Sequence, residues 1–130
     1  MKELSRDVGK MEFDGLVTDI NPAIQVRGGI IASPGATATY KRGTVFAKSD
    51  TNNKLYALGT TAESGDTLTP DCILCDDTEV DGGDVTVAVY TAGCFDPDKV
   101  TLADSYTMTE SDKDKLRERG IVFKAASAAN

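Results

Sequence analysis

The sequence predicts a mainly β domain with one short surface helix, and three observations carry that prediction. Residues 84–90 alternate strictly: Val85, Val87 and Val89 fall on one face, and Thr86, Ala88 and Tyr90 on the other, the period of a strand. Residues 44–49 and 54–58 flank the turn cluster Asp50-Thr51-Asn52-Asn53, with Val45 and Ala47 on one face of the first and Leu55 and Ala57 on one face of the second, which reads as a hairpin. Near the C-terminus, Thr109 and Asp112 have the spacing of a capping box, with Asp in the place usually held by Glu. Glu110, Asp112 and Asp114 then load the positive end of the predicted helix, Arg117 and Arg119 its negative end, and Gly120 is placed to stop it.

Taken in order, residues 1–22 mix charges with scattered Phe13, Leu16, Val17 and Ile20 and hold neither a helical nor a strand period, so they read as an extended arm. Residues 23–32 are rich in β-branched side chains but interrupted by Arg27, Gly28 and Gly29, which suggests a bulged or bent strand. Ser33-Pro34-Gly35 is a turn signal, and Glu63-Ser64-Gly65-Asp66 marks a loop. Cys72-Ile73-Leu74-Cys75 is a continuous apolar run suited to a strand buried on both faces. Asp81-Gly82-Gly83 predicts a turn before the alternating strand, and Thr91-Ala92-Gly93 a second turn leading into Cys94-Phe95. A short apolar piece follows at 100–103. Only Leu116 is apolar within the helix, which places it on the surface, and Ile121-Val122-Phe123 reads as a terminal strand. The expected organisation is an N-terminal arm (1–22), a β-rich domain (23–124) and a frayed tail (125–130).

Composition narrows the function. The chain has 130 residues, 40% hydrophobic and 6% aromatic with no Trp, so its core is modest and partner subunits can add stability. No apolar run approaches the ~20 residues of a membrane-spanning helix, and the charged opening lacks the apolar region of a secretory signal, so synthesis in the cytoplasm is expected. A net charge of −7 without a basic stripe argues against nucleic acid as a partner.

The chemistry-bearing motifs read as structural. Cys72-x-x-Cys75 lies in an apparent strand, where residues three apart face opposite ways, and not at the helix N-terminus that would stabilise a thiolate. Cys94 could join the pair, but without any His the set for a zinc site is incomplete. All three cysteines are expected to be buried and inert. Asp77, Glu79, Asp81, Gly82 and Asp84 begin like a calcium-binding loop, yet position 12 is Ala88 and the flanks are strands, so a solvated turn is expected. No His is available as a base, and no nucleophile elbow or phosphate loop occurs. Neither a catalytic residue nor a cofactor nor a metal is assigned.

Over residues 40–123 the chain resembles the phage lambda-type head decoration proteins. The resemblance is carried by Arg42-Gly43-Thr44-Val45 with Ala47-Lys48, by Lys54-Leu55-Tyr56 at the end of the hairpin, and by the apolar strand leading to an acidic turn at 72–77. It continues through Gly83-Asp84-Val85-Thr86-Val87 with Val89-Tyr90, Gly93-Cys94-Phe95, and Leu116-Arg117-x-x-Gly120-Ile121. It implies a small β-barrel, or β-tulip-like, subunit that sits as a homotrimer at three-fold and quasi-three-fold positions outside the expanded capsid. There it clamps major capsid proteins against the pressure of packaged DNA. It also implies an N-terminal arm that adds a strand to a capsid-protein element. Phe13, Leu16, Val17 and Ile20 are then candidate capsid-binding residues. Gly28 and Gly29 are candidates too, either as a plain bulge or as a place where a capsid backbone comes close. The competing readings are another phage structural β-module (a tail, fibre or head-completion subunit) and a thiol-dependent enzyme.

Overall fold

The computed structural model describes residues 15–19, 22–33 and 35–124. Phe13, Ile20, Pro34 and the expected C-terminal tail lie outside them. Among the described residues nine strands and one helix follow in the order β1 (Val17–Asp19), β2 (Gln25–Ile31), β3 (Thr37–Tyr40), β4 (Val45–Ser49), β5 (Leu55–Ala57), β6 (Leu68–Leu74), β7 (Thr78–Asp81), β8 (Val85–Phe95), α1 (Glu110–Arg119) and β9 (Ile121–Phe123).

Five of these strands close a barrel. β8 pairs antiparallel with β2 on one side and β6 on the other, β6 pairs with β4, β4 with β5, and β5 returns to β2 in parallel. The predicted hairpin forms with Phe46 opposite Ala57 and Lys48 opposite Leu55. The strand expected at the cysteine run is β6, and it is buried along its second half.

Alternation along the strands divides the core in two. Ile31, Phe46, Leu55, Cys72, Leu74 and Val89 come from all five barrel strands and fill its interior, joined by Val80 of β7. Val45, Ala47, Ile73, Cys75 and Tyr90 point outward from the same strands and are covered by Leu16, Val17, Phe95, Leu116 and Ile121. The central strands β4 and β6 are therefore buried on both faces, which is why Phe46 is as buried as its neighbours Val45 and Ala47.

The helix has the predicted caps. Thr109 Oγ1 accepts from Asp112 N–H, Asp112 Oδ2 accepts from Thr109 N–H, and Gly120 closes the helix in the left-handed region at φ +104°. Its one buried residue, Leu116, packs on the outer core.

Three expectations are corrected. The turn at Thr91-Ala92-Gly93 does not form: β8 runs on to Phe95, leaving β2 to pair with β1 and, in parallel, with β9. Gly93, at φ +149°, carries the strand on in a backbone conformation that favours glycine, and a Cβ there would stand 2.8 Å from Phe95 Cζ. The bulge of β2 lies between Gln25 and Val26, while Gly28 and Gly29 pair regularly with Ala88 and Val87. The acidic segment read as turn contains a strand, β7, paired with β3. Its polar composition hides a period-two pattern in which only Val80 is buried.

The boundary drawn at residue 22 also differs from the packing. Leu16 and Val17 are 2% and 7% exposed, and β1 is hydrogen-bonded into the sheet, so residues 16–19 are integral to the folded domain. Apolar residues that lack a period of their own are recruited because β8 presents an open edge for them.

Candidate interaction surface

β2 displays the most solvent-facing apolar surface among the described residues. Ile31, Gly29 and Arg27 alternate on its inner face, so Val26, Gly28 and Ile30 fall on the outer one. Val26 is 57% and Ile30 44% exposed, the two large exposed hydrophobics of the described chain. The opposing residues on β8, Ala88 across from Gly28 and Thr86 across from Ile30, are exposed as well. These five residues make an exposed strip that carries no charge.

The two glycines of β2 differ in kind. A Cβ on Gly29 would stand 2.8 Å from Leu55 Cδ1, so the barrel interior accounts for its lack of a side chain. A Cβ on Gly28 would meet nothing within 4 Å. Among the described residues nothing calls for glycine at 28.

Beside the strip the barrel is splayed. β2 joins β5 only at its end, where Ile31 pairs with Leu55 and Ala32 N–H donates to Leu55 O at 3.0 Å. Above that point lies a groove of about 270 Å³ lined by Arg27, Gly28, Gly29, Ile30, Lys48, Asn53 and Leu55. A second recess shares Lys48 and Asn53 and adds Asp50 and Arg119. Arg27 and Arg119 both reach Asp71, whose side chain is 1% exposed. Arg27 Nη2 donates to Oδ2 at 2.8 Å, whereas Arg119 Nη1 lies 3.0 Å from Oδ1 as an ionic contact without hydrogen-bond geometry. Asp71 occupies a bulge of β6, between the pairings Phe46–Cys72 and Ala47–Pro70.

The other candidate residues are occupied structurally. Leu16 and Val17 lie in the subunit's own core, away from the glycines. Cys72, Cys75 and Cys94 are free and buried as expected, with Cys72 in the barrel interior and Cys75 in the outer core. Burial raises both of the first two thiols, Cys75 to about 11, with Asp71 and Asp76 adding to the effect at Cys72 and Cys75 respectively. In the acidic segment, Asp77 Oδ1 accepts from Arg42 N–H at 2.7 Å, and Asp81 Oδ1 accepts from Thr37 Oγ1 at 3.2 Å. Asp84 binds Ser33 N–H at 2.7 Å and Lys54 Nζ at 2.6 Å. Among the described residues no group of three or more His, Cys, Asp or Glu side chains is arranged to hold a metal ion.

Sequence reasoning misses Val26 and Ile30, although their i, i+4 placement around Gly28 is visible. Ile30 and Ile31 put an apolar side chain on each face of β2, and the sequence does not say which face turns inward.

The barrel, its charge-free exposed strip and its buried thiols describe a small β-barrel module. Consistent with this, residues 9–122 of the chain match the family model of the bacteriophage lambda head decoration protein D. The chain belongs to that family, a structural capsid family and not an enzyme family, which places it on the phage capsid in a decoration role. No curated protein matches the chain. Among the described residues no helix is long and apolar enough to cross a membrane.

Proposed function

We propose that this protein binds the outside of the expanded capsid as homotrimers at three-fold and quasi-three-fold sites, holding neighbouring major capsid proteins together against the pressure of packaged DNA. Family membership across 9–122 is the observation that carries this reading. The acidic surface supports an exterior position, since a net charge of −7 is repelled by DNA in the lumen. The segment preceding Gly15 is the proposed capsid-binding arm, adding a strand to a capsid-protein element, and Phe13 is its candidate anchor. Gly28, with its open outer face, is the second candidate contact. Trimers are weak in dilute solution and complete on the shell.

The test is sedimentation of the purified protein with undecorated expanded capsids of the same phage. The full chain is compared with a form lacking residues 1–14, a truncation that spares Leu16, Val17 and β1. Saturation at three copies per three-fold site, weakened by the truncation, is expected. Saturation unaffected by truncation moves the contact to the β-domain, and absence of binding overturns the reading.

A further inference from the structure

Among the open strand edges of the described residues, those of β2 and β7 have surroundings of opposite charge. On the side of β2 away from β8, only the end at Ile31 is paired among the described residues, and Arg27 to Ile30 border the groove. Arg27, Lys48 and Arg119 ring that groove and its neighbouring recess. Against them stand Asp71, buried and shared by the two arginines, and Asp50 at the rim. Lys48 makes no ion pair among the described residues. In a chain of net charge −7 this is a local cationic excess.

β7 is the complement. It pairs with β3 along one edge and with no other strand among the described residues. Val80 turns into the barrel interior, while Asp77, Glu79 and Asp81 are exposed at alternate positions. Among the described residues neither Glu79 nor the nearby Asp76 makes a side-chain hydrogen bond or ion pair.

We infer that β7 of one copy docks along the open edge of β2 in the next, its carboxylates meeting Arg27, Lys48 and Arg119 and its backbone running beside that of Gly28. The occupant is a second copy because every copy carries both halves of this complementary pair. A head-to-tail contact of that kind closes into a ring when the rotation between subunits is a simple fraction of a turn. Pairing two exposed edges also satisfies their free backbone groups. This inference rests on the trimer reading and specifies which surfaces make the trimer.

Lys48→Glu and Glu79→Lys test it, since neither residue has an ion-pair partner among the described residues and neither exchange touches the core. Each single variant is expected to lower trimer-dependent occupancy of expanded capsids roughly tenfold, because like charges then face each other at all three contacts of a ring. The double variant restores it. In a second measurement, Gly28→Cys combined with Glu79→Cys is loaded on capsids and treated with a short bis-maleimide; the native thiols are buried. A covalent ladder ending at three copies is expected, and neither single cysteine variant gives it. If both charge variants bind like the native protein and no ladder forms while native occupancy remains three per site, the β2–β7 pairing is wrong and the trimer reading stands. If the native protein itself does not saturate at three, both fail together. Loss of binding in a single variant without recovery in the double overturns the pairing as well, assigning that residue to a capsid contact.

Discussion

Arg27 and Asp71, 44 residues apart in sequence, are joined by a 2.8 Å hydrogen-bonded ion pair that ties β2 to β6 beside the groove. Arg119 approaches the other carboxylate oxygen from α1, so one buried charge holds a barrel strand and the surface helix in register with each other. A carboxylate this buried is tolerable only with its cations in place. Replacing Arg27 and Arg119 together by Met is expected to cost about 3 kcal/mol in urea denaturation. Arg27→Met alone should cost clearly less, because Arg119 remains and both arginines are partly solvated. Equal losses for single and double variants would show that Arg119 contributes nothing.

The adjacent glycines of β2 separate stability from binding. Gly29→Ala pushes a methyl against buried Leu55 and should destabilise by about 1–3 kcal/mol. Gly28→Ala enters open space and should leave the denaturation midpoint within about 0.5 kcal/mol of native. Its effect is expected in capsid occupancy instead. The two measurements on the two variants should therefore cross over.

Two surface carboxylates predict acid sensitivity. Hydrogen bonds from Ser49, Thr51 and Thr67 hold Asp66 below the usual aspartate range, and Lys54 with the Ser33 amide does the same for Asp84. A depressed folded-state pKa adds stability that is present above the unfolded value, about 3.9, and is lost as pH falls through the lower folded value. Stability measured by denaturant should thus decline from pH 5 towards pH 2.5. Asp66→Asn and Asp84→Asn should each flatten that decline, and an unchanged slope in both would rule these residues out as its source.

The thiols should be silent in the native state. With Cys72 and Cys75 raised by burial and Cys94 1% exposed, an aromatic disulfide reagent at pH 8 is expected to titrate no cysteine until denaturant is added, then all three. Cys72→Ser should impair stability by burying a hydroxyl in the barrel interior, whereas capsid binding by the folded fraction should be kept. A fast-reacting native cysteine would revive a thiol-based activity.

Much of the fold is legible in the sequence because local chemistry decides it. Thr109, Asp112 and Gly120 act within a few residues of themselves, so the helix and its ends could be read directly. The hairpin of β4 and β5 was equally visible, since its turn cluster and the two flanking strands are contiguous. The candidate surface was legible only in part. Gly28 and Gly29 stood out together, yet one serves Leu55 and the other faces solvent, a distinction made by what lies across the barrel.

The sequence by itself determined a mainly β domain, its capped helix, its buried cysteines and its acidic, motif-poor character, because these follow from spacing and side-chain type. Only the tertiary structure decided that β8 continues past Gly93, that Leu16 and Val17 belong to the core, and that Asp71 gathers Arg27 and Arg119. Each of these depends on partners dozens of residues away. A strand's own residues show that it has two faces, but which face is covered depends on what the closed barrel brings against it.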